Sequence, residues 1–145
     1  MALWPRALIL LGVIAVGGPS AAAPTPPPSP SPVAAPEAAR WSRNRVFQVS
    51  WVSDPSPVPL LAIHAWTITV LDAAGTPVPD ARITVLGGMP AHGHGLPTTP
   101  QVKSLGGGRY RVEGLKFHMP GDWVVGFRIK AGDLVDSVNF DLHFD

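Results

Sequence analysis

Two short stretches of this chain carry side chains that bind soft metal ions. In "MPAHGH", Met89 offers a thioether, and His92 and His94 offer imidazoles separated by one glycine. A second pair, His118 and Met119, is adjacent in sequence. Thioether sulfur together with imidazole nitrogen suits copper, Cu(I) above all, better than Ca²⁺ or Mg²⁺. These five residues are therefore the candidate metal ligands.

The absence of cysteine narrows the chemistry that the chain can perform. Disulfides, thiolate catalysis and Cys-ligated zinc are excluded, so a copper site must use methionine and histidine. Zinc would accept the histidines but gains little from methionine. The sequence also lacks a GxSxG motif, a phosphate loop and a dinucleotide-binding motif, and its carboxylates are isolated. We expect a binding protein rather than an enzyme.

The same five side chains have a structural interpretation. In a straight strand, His92 and His94 would share a face about 6–7 Å apart, so the chain must bend at the glycine between them for both rings to reach one ion. His118 and Met119 point to opposite sides of an extended chain, so only one of them is expected to take part. Met89 and Met119 could instead be hydrophobic plugs, with the histidines simply solvated.

The two remaining histidines are predicted to have structural or solvated positions. His64 shares a strand face with Trp66 and Ile68, which predicts a histidine at the edge of the core. His143 alternates outward beside acidic residues, which predicts an exposed side chain.

The first residues of the chain resemble an export signal. Residues 1–22 combine Arg6, an apolar run from residue 7 to 18, and small residues before a cleavage point after Ala22 or Ala23. The apolar run is shorter than the roughly 20 residues that a membrane-spanning helix needs. We expect a secreted or periplasmic protein, anchored at its N terminus only if the signal is not cleaved.

Residues 23–40 form a linker rich in proline and alanine, which is expected to be extended and unpacked. It could be a spacer or a leader without a role. The whole chain has 11 basic and 10 acidic residues, and without Arg6 the two counts are equal. Because the basic residues do not run together, we expect neither a nucleic-acid partner nor an anionic membrane surface.

The candidate ligands must be positioned by β-strands, because residues 41–145 alternate apolar and polar side chains with period 2. We predict an all-β fold, an immunoglobulin-like β-sandwich of about seven strands with Trp51, Trp66 and Trp123 facing inward; a small barrel is the alternative. The clearest alternating segments are "RVFQVSWV", "IHAWTITVLD", "DARITVLG", "RYRVEG", "DWVVGFRIKA" and "DSVNFDLHF".

One predicted connection is long: 23 residues between Leu86 and Tyr110 lack clear alternation. Loops longer than about 12–15 residues are usually functional or disordered. The turn at residues 119–122 is expected to close a hairpin. A sandwich gathers its loops at its two ends, so the two Met/His stretches could meet at one of them.

Three motifs in order resemble the YtkA-like, FixH-related domain family of small exported or membrane-anchored bacterial β-sandwiches. They are "MPxHGHG" from Met89, "GxY" ending at Tyr110 and "MxGxW" from Met119, and the resemblance covers roughly residues 44–144. The resemblance implies a periplasmic accessory role, since FixH-type relatives are associated with the assembly of copper-containing respiratory oxidases. It implies a copper protein or a respiratory-complex component as partner. The sequence lacks the spanning helix of FixH proper.

Two functions are expected from these observations. The first is copper binding through the Met/His stretches, in metal handling or respiratory-complex assembly. The second is a non-metal module that displays residues 87–108 to a protein partner.

Overall fold

The computed structural model describes residues 37–145. The predicted signal peptide, residues 1–22, and all but the last few residues of the predicted linker, 23–40, lie outside the described residues. Within the described part no helix is long and apolar enough to cross a membrane.

Nine β-strands and one short 3₁₀ turn make up the described part, which contains no α-helix. The elements are β1 (Arg40–Trp41), β2 (Phe47–Asp54), β3 (His64–Asp72), β4 (Arg82–Met89), the 3₁₀ turn Pro90–His92, β5 (His94–Gly95), β6 (Gln101–Gly106), β7 (Arg109–Leu115), β8 (Gly121–Ala131) and β9 (Leu134–Phe144).

The strands form two antiparallel sheets that face each other. One sheet has the order β1-β2-β3-β7-β6 and the other β5-β4-β8-β9. This confirms the all-β sandwich. The prediction that residues 119–122 close a hairpin is wrong, because the strands on either side of that turn, β7 and β8, lie in different sheets. The strands beyond the alternating segments are β1 and β5, of two residues each, and β6, which is exposed along most of its length.

The core lies between the sheets because the alternating apolar residues of every long strand face inward. In β2 the burial alternates residue by residue, and in β8 the four residues Trp123, Val125, Phe127 and Ile129 are at most 1% exposed. Trp51 and Trp66 stack with centroids 3.8 Å apart and planes at 6°. The prediction that Trp51, Trp66 and Trp123 face inward is confirmed. Burying each such side chain stabilises the fold by about 2–3 kcal/mol, which explains how a core without cysteine suffices.

The prediction of one loop of 23 residues is wrong. β4 continues to Met89, and the 3₁₀ turn, β5 and β6 occupy most of residues 90–106. The irregular part is the short stretch between β5 and β6. Alternation failed to reveal β6 because an edge strand that is exposed on both faces has no apolar side to repeat.

Residues 40–45 close one open side of the sandwich. β1 pairs with β2, while the Arg43 amide donates to the Ser137 carbonyl of β9 at 2.8 Å. Beside this contact, Asp136 is 4% exposed and accepts from the Ser42 hydroxyl at 2.6 Å and the Asn44 amide at 2.8 Å. Burial alone would raise the pKa of Asp136, but these hydrogen bonds outweigh it and hold that pKa below its ordinary value.

One end of the sandwich, residues 72–81 and 106–110, is called the tyrosine end below. The buried Tyr110 hydroxyl donates to the Val78 carbonyl and accepts from the Ala81 amide at 2.8 Å. Asp72 accepts from the backbone of Ala74 and Thr76 in the β3–β4 turn. The polar groups of this end are thus paired within the chain.

Candidate metal site at the histidine end

The opposite end of the sandwich, residues 89–96 and 117–121, brings the two Met/His stretches together and is called the histidine end. It forms because β4 and β8 are neighbours and run antiparallel, so the end of β4 meets the turn that precedes β8. The ring centroids of His94 and His118 are 6.0 Å apart, and those of His92 and His94 are 6.1 Å apart. The expectation that the two stretches share one end is therefore confirmed.

The backbone bend that this arrangement needs is located at two glycines. Gly93 ends the 3₁₀ turn with φ of 66°, in the left-handed region that a residue with a Cβ disfavours. The chain then returns beside β4, with Met89 opposite His94 in register. A Cβ at Gly88 would overlap the His94 carbonyl, so the close approach of β5 requires glycine there.

The three rings differ in their surroundings. His92 and His94 are exposed, whereas His118 is half-buried. The His118 ring meets the Trp123 ring edge-on, 5.3 Å between centroids at 79°. Its buried Nδ1 has no hydrogen-bond partner within residues 37–145. The Trp123 indole N–H donates instead to the Met119 carbonyl, at 3.0 Å, and fixes the turn that carries His118.

These spacings fit two imidazoles on one ion. A metal–nitrogen bond of about 2.0 Å puts the centroids of two rings on one ion about 5–6 Å apart. The pairs His92–His94 and His94–His118 both approach that separation, and His94 belongs to both. Among the described residues no group of three His, Asp or Glu side chains is arranged to hold one ion. The arrangement is therefore two overlapping pairs rather than a closed cage.

The two methionines lie toward the core. Met89 is 1% exposed and belongs to the main hydrophobic cluster, where it continues the inward parity of Ile83 and Val85. Met119 is partly buried and packs against the same cluster. This placement agrees with the plug interpretation of both methionines. The alternation that turns Ile83 and Val85 inward also places Met89 on the inner face when it is continued through Gly87. This is the sequence signal for the burial of Met89.

His64 lies at the core edge, as predicted. Its side chain is 5% exposed, its Nδ1 lies 3.2 Å from the Ala62 carbonyl, and its Nε2 has no partner in the described part of the chain. Burial lowers the pKa of His64. The ring packs 5.3 Å from Phe117.

His143 is exposed beside acidic residues, also as predicted. Its Nδ1 lies 2.7 Å from Asp122 and its Nε2 lies 3.3 Å from Asp145. The hydrogen bond and the charge of Asp122 raise the pKa of His143. A proton on His143 is thus favoured, which makes its nitrogens poorer metal ligands than those of an unpaired imidazole.

A family model described as YtkA-like matches residues 46–127. This chain belongs to the YtkA-like family. All five candidate ligands fall within the matched range. No curated protein matches the chain.

The fold also has a solved counterpart. The crystal structure of a DUF4426 family protein from Pseudomonas aeruginosa PAO1 is similar with a TM-score of 0.54 and 16% identity. The match covers 74% of this chain and 96% of that protein. At this identity the likeness concerns the fold alone.

Proposed function

We propose that this YtkA-like protein is an exported accessory protein that binds copper, with Cu(I) favoured, through the histidines of its histidine end. The observation that carries the proposal is the 6.0 Å spacing of the His94 and His118 rings, together with a buried His118 nitrogen that has no hydrogen-bond partner among residues 37–145. The export-type N terminus supports a periplasmic role. The resemblance to FixH-type proteins supports metal handling or respiratory-complex assembly, with a copper protein or a respiratory-complex component as partner. The proposal includes no catalysis.

The two histidine pairs suggest how an ion is taken up and held. His92 and His94 are both exposed and can capture an ion from solution or from a partner. His94 and His118 form a pair that is partly shielded by Trp123. Because His94 is common to both, the ion can pass from one pair to the other by exchange of a single ligand.

A Cu(I) titration tests the proposal. Residues 24–145 include both sheets and the hydrophobic core of the described part of the chain. Competition against a chromophoric Cu(I) chelator is expected to show one ion per chain. His94→Ala is expected to weaken binding at least tenfold, about 1.4 kcal/mol, because it removes the ligand common to both pairs.

The matched control is His143→Ala, which removes an exposed imidazole whose two nitrogens already lie beside the carboxylates of Asp122 and Asp145. Its titration is expected to equal that of the unchanged protein. An identical titration for His94→Ala would exclude this site.

The second candidate function is a non-metal interaction module that displays residues 87–108. It is favoured by β6, an edge strand exposed along its length, on which Leu105 is 48% exposed. Edge strands offer unpaired backbone groups to a partner's strand. This function predicts no stoichiometric copper, and lost binding of a cognate partner when residues 101–106 are shortened.

A further inference from the structure

The pairing of β4 with β8 assembles a cationic cluster from residues far apart in sequence. Arg82 lies opposite Lys130, and Thr84 lies opposite Arg128, all on the outer face of the four-stranded sheet. None of the salt bridges among residues 37–145 involves these three cations. The basic residues do not run together in sequence, but the strand register brings these three onto one face. Directly opposed like charges destabilise a sheet, so this cluster carries a cost that a partner could offset.

The other end of the same face is acidic. Asp122 and Asp141 alternate outward on β8 and β9, and Asp145 follows β9. Asp141 pairs with Arg40 at 3.1 Å, and His143 lies between Asp122 and Asp145. Even with a proton on His143, these three carboxylates face one guanidinium and one imidazolium, so the net charge is negative.

The centre of the face is uncharged. Leu86, Gly126 and Asn139 form one row across β4, β8 and β9, and Leu86 is 57% exposed. Because every second residue of a strand lies on this face, neighbouring rows are two residues apart. Charged rows lie on both sides of the central row. The row of Asp141 lies one step toward the acidic end, and that of Arg128 lies one step toward the basic end. The signs are therefore opposite at equal distances from the central row.

The outer face of the other sheet behaves differently. There Lys103 pairs with Glu113 at 2.6 Å, and Arg111 pairs with Asp54 at 3.0 Å and with Glu113 at 3.5 Å. Its charges neutralise one another locally. Among the described residues, the four-stranded sheet instead leaves three cations without an ion pair at one end of β8 and keeps an excess of carboxylates at the other.

We propose that the outer face of the four-stranded sheet binds a second copy of this chain, face to face and antiparallel. A two-fold axis across the strands, through the central row, stacks β8 on β8 with reversed direction. Asp122 of one copy then lies over Lys130 of the other, and Asp141 lies near Arg128. A two-fold axis along the strands would set acid on acid, so the charges select the antiparallel arrangement. Such an interface is isologous and closed.

The size of the face sets the strength of the contact. Strands of 11 residues at about 3.4 Å each, three strands wide at about 4.8 Å, give about 500 Å² per copy. A standard interface buries about 800 Å² per partner, so the dimer is weak and concentration-dependent. A groove of about 220 Å³ lies between the cations, and one of about 410 Å³ lies beside Asp122 and Asp141. Each groove can accommodate side chains from the opposite end of the second copy.

Charge reversal with rescue tests the proposal by sedimentation velocity of residues 24–145 in metal-free buffer. The unchanged protein is expected to sediment faster as its concentration rises, and this effect should weaken with added salt. The variant Arg82→Glu, Arg128→Glu, Lys130→Glu makes both ends acidic, and Asp122→Lys, Asp141→Lys makes both ends basic. Each alone is expected to be monomeric. Their equimolar mixture is expected to form the heterodimer, because every contact then joins opposite signs.

The rescue separates association from misfolding, since unfolded variants cannot restore each other. Arg109→Glu, a reversal on the other sheet, is the control and is expected to leave the dimer unchanged. A wild-type protein that stays monomeric into the millimolar range at low salt overturns the proposal, as does a mixture that remains monomeric. A monomer that instead binds anionic phospholipid vesicles through the cationic cluster also overturns it.

Discussion

At the tyrosine end, Tyr110 donates to one backbone group and accepts from another; at the histidine end, the Nδ1 of His118 is buried with no partner among residues 37–145. Both ends carry a ring system against a tight turn, yet one satisfies its polar atoms and the other does not. A buried unpaired polar group costs about 1–3 kcal/mol, so a fold keeps few of them.

Under the proposed function, the difference separates the end of the sandwich that stabilises the fold from the end that binds. Hydrogen bonds within the chain make the tyrosine end stable but leave its hydroxyl no free donor or acceptor. The histidine end gives up that stability and keeps nitrogen atoms available. Variants that change the free energy of unfolding and the Cu(I) affinity separately test this comparison. They follow from the largest expected effect to the smallest.

Met89→Ala is expected to have the largest effect on stability. Truncating a buried methionine costs about 3 kcal/mol through lost apolar contact and the cavity left behind. Chemical denaturation measures the loss. Met89→Leu keeps the volume and is expected to retain both the stability and the Cu(I) affinity. If Met89→Leu weakened Cu(I) binding as much as His94→Ala, Met89 would be a ligand and not part of the core.

Tyr110→Phe is expected to lower the free energy of unfolding by about 2 kcal/mol, because two backbone groups at the tyrosine end lose their partner. Cu(I) affinity is expected to remain unchanged, since the change lies at the other end of the sandwich. Denaturation and the chelator competition on the same sample measure both quantities. A stability loss well below about 1 kcal/mol would show that water replaces the hydroxyl and that this end is open to solvent.

His118→Phe is expected to change stability by less than about 1 kcal/mol, since it removes an imidazole whose buried nitrogen makes no hydrogen bond within the described residues and keeps a ring beside Trp123. Cu(I) affinity is expected to fall at least tenfold, about 1.4 kcal/mol. A purely structural histidine would give the reverse pattern: a clear drop in melting temperature, with or without copper, and no change in titration.

The smallest effect concerns pH. Burial lowers the folded-state pKa of His64, so below the unfolded value of about 6.5 the unfolded chain binds the proton more readily and stability falls with pH. His64→Leu is expected to reduce the loss between about pH 7.5 and about pH 5.5, on either side of that value. The denaturation midpoint measured at these two pH values gives the loss of stability. A loss in His64→Leu equal to that of the unchanged protein would contradict its assignment to His64.

The contribution of His143 to stability has the opposite pH dependence. Asp122 raises its folded-state pKa, so its contribution is fully present below about pH 6.5 and is lost as pH rises through the raised value. His143→Asn is expected to steepen the acid-side loss. The hydrogen-bonded Asp136, whose pKa is lowered, loses its contribution only at lower pH and does not interfere in this window.

Much of the fold could be predicted because each long strand has one face in the core, which imposes period 2 on its residues. The meeting of His94 and His118 could also be predicted, since a sandwich collects its connections at two ends. The sequence left open whether Met89 is a ligand or a hydrophobic plug, because two glycines just before it obscure the alternation of inward residues in β4. The cationic cluster was not predictable, since it depends on which residue of β4 lies opposite Lys130, and no local pattern specifies that register.

The ring of Trp123, edge-on to His118, also gives the histidine end an optical signal. Indole fluorescence is quenched by an adjacent metal ion or a protonated imidazole. Trp51 and Trp66 are stacked on each other in the core, where the ligand state of His118 changes little around them. Under the proposed function, copper at His118 is therefore expected to quench the emission of Trp123 without any attached dye, while Trp41, Trp51 and Trp66 provide a constant background.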